Sequence, residues 1–286
     1  MRTDADYARE LDRQDELARF RDEFVIDDAD LIYLDGNSLG RLPKRAIVRA
    51  REVVESEWGG RLVRGWNDGW FTLAKRVGAK IAQLIGAEAD EVIVADSTSV
   101  NLFKLTVAAL QARPARRNVV TDYLNFPSDI YVLDGALELA GPSYDCPTVL
   151  SRDGLTVTLD DLAAAIGGDT ALVALTHTAF KSGFIHDMAA ITELAHRAGS
   201  LMLWDLCHSV GAMPIELNRA GVDLAVGCTY KYLNGGPGAP AFLYVRRDLQ
   251  DQLWNPIWGW FGHVEQFDFR DGYEPAHDIR RFQTGT

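Results

Sequence analysis

The sequence predicts an α/β protein, a three-layer sandwich with a mostly parallel central sheet. Seven short apolar runs bounded by turn residues have the length of strands, and segments of helical period lie between most of them. Several runs are apolar throughout rather than alternating, as strands are when helices cover both faces of a parallel sheet. With 286 residues, 47 % of them hydrophobic, the chain has ample material for a large buried core.

The elements are expected in the following order. A helix over about 4–24 carries Leu11, Leu17, Phe20 and Phe24 at a spacing suited to lying on another surface, such as a second subunit. A first strand is expected at 31–35 (LIYLD), then helices at 44–58 and 71–85 and a strand at 91–96 (EVIVAD). Next come a helix at 101–113, a strand at 118–122 (NVVTD) and helices at 128–140 and 159–166. The strand at 170–177 (TALVALTH) leads to a helix at 187–198, where Ile191, Leu194, Ala195 and Ala198 share one face and Gly199 closes the end. Strands at 201–206 (LMLWDL), 224–230 (LAVGCTY) and 241–245 (AFLYV) complete the set. No internal repeat, low-complexity tract or Pro/Ser-rich linker interrupts the pattern, so 60–255 is read as one large domain. Residues 1–59 form an N-terminal arm and helices, and 256–286 start a connection to a further domain. The ending Gln283-Thr284-Gly285-Thr286 follows an aromatic stretch without a capping helix or polar tail, and truncation is expected.

Charge and composition exclude several classes of function. The chain has 29 Lys and Arg against 41 Asp and Glu, a net charge of −12, which repels phosphate backbones and anionic membranes. No nucleic acid partner is expected. The first twenty residues are dense in both signs of charge and lack the apolar core of a signal peptide, and no run approaches the ~18 apolar residues of a membrane span. A cytoplasmic protein without membrane association is expected. Cys146, Cys207 and Cys228 are too few for a disulfide framework and lack the C-x-x-C spacing of a zinc site. The six histidines form no H-E-x-x-H, and no metal is expected.

The most informative stretch is 201–238. Asp205 ends one expected strand and Lys231 follows the next, and in an open parallel sheet such ends face one crevice. A lone lysine at a strand end is usually a surface charge. Here Tyr230 and Tyr232 flank it and Gly235-Gly236-Pro237-Gly238 follow, a setting in which backbone can approach a ligand. An apolar setting also favours the neutral amine that attacks an aldehyde. Asp205 is either a turn residue or the carboxylate that keeps a pyridine nitrogen protonated. His208 reads equally as a neighbour of such a ring or as a hydrogen-bonded core histidine. At 96–110 a strand gives way to hydroxyls and then a helix, so the helix-start N–H groups with Thr98 and Ser99 could hold a phosphate, or the hydroxyls could simply cap the helix. There is no Walker lysine motif and no G-x-G-x-x-G after a strand, which weakens nucleotide binding. In Asn125-Phe126-Pro127-Ser128-Asp129, Phe126 could stack on a flat ring or be one more buried aromatic.

Taken together these segments resemble the kynureninases, enzymes dependent on pyridoxal phosphate (PLP) with the fold of aspartate aminotransferase, fold type I. The resemblance runs through LDGNSLGRLP (34–43), ADSTSVNLFK (95–104), NFPSD (125–129), WDLCHSVG (204–211), CTYKYLNGGPG (228–238) and GWFGH (259–263). It implies PLP as cofactor, joined covalently to Lys231, with Asp205 on its ring nitrogen. Thr98, Ser99 and Tyr230 would hold the phosphate, with Trp260 and Thr286 reaching the phosphate site of a neighbouring subunit. Phe126 would stack on the ring, and Asp129, Thr176 and His208 would complete the pocket. Asn37, Ser38 and Trp66 are similar to residues lining the substrate side, and Tyr230 is the candidate proton donor. The implied reaction is hydrolysis of L-kynurenine, or of 3-hydroxy-L-kynurenine, to anthranilate or 3-hydroxyanthranilate and L-alanine, in tryptophan degradation and NAD biosynthesis. A homodimer is implied. The family's small C-terminal domain, which supplies the arginine gripping the substrate's α-carboxylate, would be largely absent, and PLP binding with very low turnover is the expectation. Two other readings use the same residues: a cysteine desulfurase-like or aminotransferase-like enzyme of this fold, and a non-catalytic protein.

Overall fold

A computed structural model describes residues 2–285. Its seven strands are β1 (Val92–Val94), β2 (Asn118–Asp122), β3 (Thr148–Val149), β4 (Thr170–Thr176), β5 (Leu201–Asp205), β6 (Leu224–Gly227) and β7 (Phe242–Val245). They form one sheet in the order β1-β7-β6-β5-β4-β2-β3, in which β7 runs antiparallel to both its neighbours and the other pairs are parallel. The helices are α1 (Ala5–Gln14), α2 (Lys44–Glu52), α3 (Leu73–Ile85), α4 (Thr98–Ala112), α5 (Pro127–Ala140), α6 (Leu159–Ala165) and α7 (Met188–Arg197).

Side chains of a strand alternate between the two faces, and both faces here are apolar. Val120, Val173, Leu175, Met202, Trp204, Ala225, Phe242 and Tyr244 point to one core, shared with Ile81 and Ile85 of α3, Leu162 of α6 and Ile191 of α7. Val119, Leu172, Ala174, Leu203, Leu224, Val226 and Leu243 point to the other, shared with Leu102 and Leu105 of α4 and Leu133 and Leu137 of α5. Ile279 and Phe282 join that second core, so the last described residues fold back on the sheet. The three layers expected from unalternating strands are present.

Phe242 shows how tightly the first core is filled. Its ring lies where a Cβ on Gly227 of the paired strand would stand, 2.5 Å from the nearest ring carbon. Phe242→Ala is expected to cost about 3–5 kcal/mol, because a cavity beneath paired strands closes poorly. Urea denaturation with an unchanged slope would measure it; a loss below ~1 kcal/mol would mean that the core collapses into the space.

Three sequence expectations need correction, and one short strand lies outside them. Residues 31–35 form no strand: Ile32 and Leu34 are 82 % and 86 % exposed and no strand partner meets them among the described residues. An apolar run becomes a strand only where a ladder is available. The helix expected over 4–24 breaks after Gln14, because Asp15 turns extended and its carboxylate accepts from Leu17 N, an Asx turn; a 3₁₀ segment follows at Ala18–Glu23. The helix expected at 44–58 passes from α2 into a π-helical stretch, Val53–Arg61, that runs through Gly59 and Gly60. The edge strand β3, two residues long, carried too little pattern to be seen. Elsewhere elements begin or end a few residues from the expected bounds, as at α4, which starts at Thr98 because Ser97 caps it.

Candidate active site

Because β2, β4, β5 and β6 run the same way, the loops leaving their C-terminal ends meet along one edge of the sheet. Asp205 is the last residue of β5, Thr176 the last of β4, and Lys231 lies four residues beyond the end of β6. Phe126 and Asp129 begin α5 just after β2.

Lys231 is buried, 8 % exposed, and its Nζ lies 2.8 Å from His208 Nε2. The same nitrogen is 5.8 Å from the centre of the Phe126 ring and 5.6 Å from that of Tyr230. Burial first, and then the charge of Lys231, hold the His208 imidazole below its ordinary pKa, with Asp205 opposing. His208 is therefore neutral at pH 7 and accepts from Nζ, which puts its own proton on Nδ1. That donor is buried without a partner.

Asp205 and Asp129 are both 4 % exposed. Asp205 is fixed by the turn that follows it, its Oδ1 accepting from Cys207 N at 2.7 Å. Burial above all, then the negative charge of Asp205 and a hydrogen bond to it, push the Asp129 carboxyl well above the usual carboxylate range, while Lys231 pulls it down. Burial beside the Asp205 charge thus favours the protonated form of the Asp129 carboxyl. One carboxyl pair, an amine, an imidazole and an aromatic face lie close together.

The other expected residues are placed as follows. Tyr230 is half-buried, and burial ahead of neighbouring negative groups pushes its phenol up to about 12, so it remains a proton donor. The Thr98 hydroxyl lies 3.6 Å from Cys207 Sγ, and Ser99 Oγ lies 3.3 Å from Ser128 Oγ. The cap of α4 is Ser97, whose hydroxyl accepts from Val100 N, which leaves the N–H groups of Thr98 and Ser99 facing outward from the helix start. Thr176 donates to Thr178 O at 3.2 Å. Ser38 donates to Asp35 Oδ1, and the turn holding Asn37 and Ser38 meets the lysine loop through Gly40. A Cβ on Gly40 would lie 2.1 Å from Lys231 O, so only glycine fits there. Trp66 and Trp260 lie elsewhere, in an aromatic cluster with ring centres 6.3 Å apart and Phe261 against both. Trp66 and Phe261 line a cavity of about 940 Å³ that also reaches Asp96, Thr229 and 283–285. Thr286 lies outside the described residues.

The residues suit PLP. Asp129 Oδ2 and His208 Nδ1 are buried polar atoms without partners beside the Lys231 amine, and a flat ring carrying a nitrogen and a hydroxyl would satisfy such groups. Among the described residues no cluster of three His, Cys, Asp or Glu could hold a metal ion, and no helix is long and apolar enough to cross a membrane.

The family model for class-V aminotransferases matches residues 32–286. The chain belongs to the aminotransferase class-V family. This class-V chain is 47 % identical over 281 residues to the kynureninase of Pseudomonas fluorescens, and 46 % identical to that of Burkholderia mallei strain SAVP1. Each match covers 96 % of the chain and 66 % of the relative, so the chain spans just under two thirds of the length of these curated relatives. Among solved structures it resembles the cysteine desulfurase CsdA of Escherichia coli, with a TM-score of 0.76 and 18 % identity over 95 % of this chain and 68 % of that one. A C-DES variant with glycine covalently linked to its PLP cofactor gives 0.77 at 17 % identity, covering 95 % and 70 %. At such identity these structures establish the fold, the PLP fold type I sandwich.

In the class-V chain, Ser97, Ser128 and the histidines beneath the pocket were not anticipated from sequence. Ser97 was visible as the first hydroxyl after the strand; Ser128 gave no signal beyond its place in the NFPSD turn. Under the pocket His177 packs edge-on to Trp204, and His186 Nε2 lies 2.9 Å from Asp122 Oδ2, all nearly inaccessible. Burial, then the nearby His186, hold His177 down to about 4. Because the unfolded value is near 6.5, the unfolded chain binds a proton first as pH falls. Stability from a neutral His177 is thus complete above pH ~6.5 and lost between there and pH ~4, a change of about 3 kcal/mol. Urea midpoints at pH 7.5 and 5 should differ accordingly, and His177→Gln should flatten the dependence; equal slopes for both proteins would refute the assignment.

Proposed function

We propose that the chain carries the PLP-binding part of a kynureninase, which hydrolyses L-kynurenine, or its 3-hydroxy derivative, to anthranilate or 3-hydroxyanthranilate and L-alanine. The observation that carries the reading is the buried Lys231 amine held at 2.8 Å by a neutral His208, in one pocket with the Asp129–Asp205 carboxyl pair. Identity of 46–47 % to proteins named kynureninase supports the choice of reaction.

PLP, when bound, supplies an aldehyde that joins an amino group and a protonated ring that accepts electrons from the α-carbon. The chain's own residues do the rest. The Lys231 amine, with His208 as its hydrogen-bond partner, takes the proton from the substrate's α-carbon. Asp205, with Asp129 beside it, would keep the ring nitrogen protonated. Phe126 flanks the ring face, and the free N–H groups of Thr98 and Ser99 meet the phosphate at the positive end of α4. Tyr230, which stays protonated, donates to the oxygen of the γ-carbonyl as water adds there and the bond between the β- and γ-carbons breaks. Thr176, Asn37 and Ser38 are assigned to the walls of the site, Trp66 to the substrate side through the cavity it shares with Asp96 and Thr229, and Trp260 and Thr286 to a neighbouring subunit's phosphate site.

A homodimer in the cytoplasm completes the proposal. Its support is physical: Ile32, Leu34 and Val63 are large apolar side chains in the open, which a second surface would cover, and the cysteines are free. Purified protein given PLP and L-kynurenine should release fluorescent anthranilate with an equal amount of L-alanine. Sulfide from L-cysteine or a keto acid from an amino donor, in place of anthranilate, would overturn the assignment of substrate.

A further inference from the structure

Lys104 is fully buried in the middle of α4, a helix whose other inward residues are mostly apolar. Its Nζ donates to Asp96 Oδ2 at 2.6 Å and to the carbonyl of Phe282 at 2.5 Å. Burying an ammonium is costly, and an apolar side chain of similar volume often stabilises such a place as well or better. Burial holds the Lys104 pKa down, and the partly exposed Asp96 draws it back up. Bulk stability does not explain the pair. Its geometry does offer a reason.

Asp96 stands at φ +46°, a left-handed conformation rare outside glycine, immediately before the cap Ser97 and the N–H groups of Thr98 and Ser99. Three segments converge on it. Lys104 and Thr284 hold its two carboxylate oxygens, the latter at 3.3 Å, and its carbonyl accepts from Ala241 N at 2.8 Å. Phe282, the other partner of Lys104, leads directly into 283–285, which line the 940 Å³ cavity. That stretch is packed in turn on 259–261: a Cβ on Gly259 would lie 1.9 Å from Thr284 O, and Phe261 N donates to the same oxygen.

We propose that Lys104 is a positioning residue that locks the start of α4 and the segment 282–285 into a single arrangement, so that anion binding at the first and ordering of the second are coupled. The inference rests on the reading of Thr98 and Ser99 as the phosphate site of PLP. A phosphate drawn to those N–H groups requires Asp96 in its left-handed turn. That turn is held by the ammonium that also holds Phe282 O, and coupling between two sites is reciprocal.

The test measures PLP affinity by absorbance titration, together with hydrogen exchange of the amides of 282–285 and 259–262 with and without PLP. In the wild-type chain PLP should slow exchange in both segments, and PLP binding with unchanged exchange in 282–285 would overturn the coupling. Lys104→Met should weaken PLP binding about 10-fold and abolish the PLP-dependent slowing in 282–285, a readout that a simple loss of packing would not move. Thr284→Val, which leaves the buried ion pair intact and carries the test should K104M not fold, should weaken PLP about 3-fold with partial loss of protection. PLP affinity within ~2-fold of wild type, or undiminished PLP-dependent protection of 282–285 in the variants, overturns the inference while leaving the PLP reading intact. A wild-type chain that takes up no PLP overturns the phosphate-site reading and this inference with it.

Discussion

Lys231→Ala is expected to lower anthranilate release by about 10³-fold or more and to abolish the visible absorption that PLP acquires when tied to a lysine. The size follows from two duties that the proposed function puts on one nitrogen: the amine beside the aromatic and carboxyl groups joins the cofactor, and it then acts as the base toward the α-proton. No second amine contacts His208 or Phe126 among the described residues, so nothing replaces it. Folding should survive: the His208 imidazole left behind is neutral, and loss of the Lys231 charge moves the Asp129 carboxyl further toward its protonated form. Stability should change by no more than ~1–2 kcal/mol. If the variant kept both the visible band and turnover, the covalent role would belong to another residue and the proposed function would lose its central group.

Asp205→Asn should reduce turnover by about 10²–10³-fold with the protein still folded. Asparagine keeps an oxygen to accept from Cys207 N, so the turn after β5 survives, but it cannot hold a proton on a ring nitrogen by charge. Removing the charge also relieves part of what raises the Asp129 carboxyl, although burial, the larger cause, remains. Asp129 is then the neighbouring carboxyl placed to substitute, so the double variant D129N/D205N should be worse than D205N by about another 10-fold, while D129N alone costs only about 3-fold. Strict additivity of the two losses, measured as kcat/KM with L-kynurenine, would show that the two carboxyls do not act as a pair.

Lys231 and Asp205 are legible in the amino-acid pattern, and the reason is local. Each sits at or just past the end of an apolar run, and an unpaired polar residue at the end of a buried parallel strand has one edge of the sheet to face. The same logic locates Phe126 and the hydroxyls at 98 and 99. It fails at 31–35, where apolar residues without a pairing strand lie open to solvent, and at 4–24, where Asp15 offers the backbone a turn in place of a helix. Trp66 and Trp260 belong to one aromatic cluster, a proximity between residues 194 positions apart that no periodicity encodes.

The amino-acid pattern by itself determined the α/β sandwich, the direction in which most strands run and the residues at their ends, because burial on two faces and helical period are written into neighbouring positions. Only the tertiary structure decided that β7 enters between β1 and β6 against their direction, that Asp129 meets Asp205, and that Lys104 joins Asp96 to Phe282. Such encounters depend on how layers pack and loops close over long stretches of chain, and those distances follow from the balance of the whole core rather than from any window of residues.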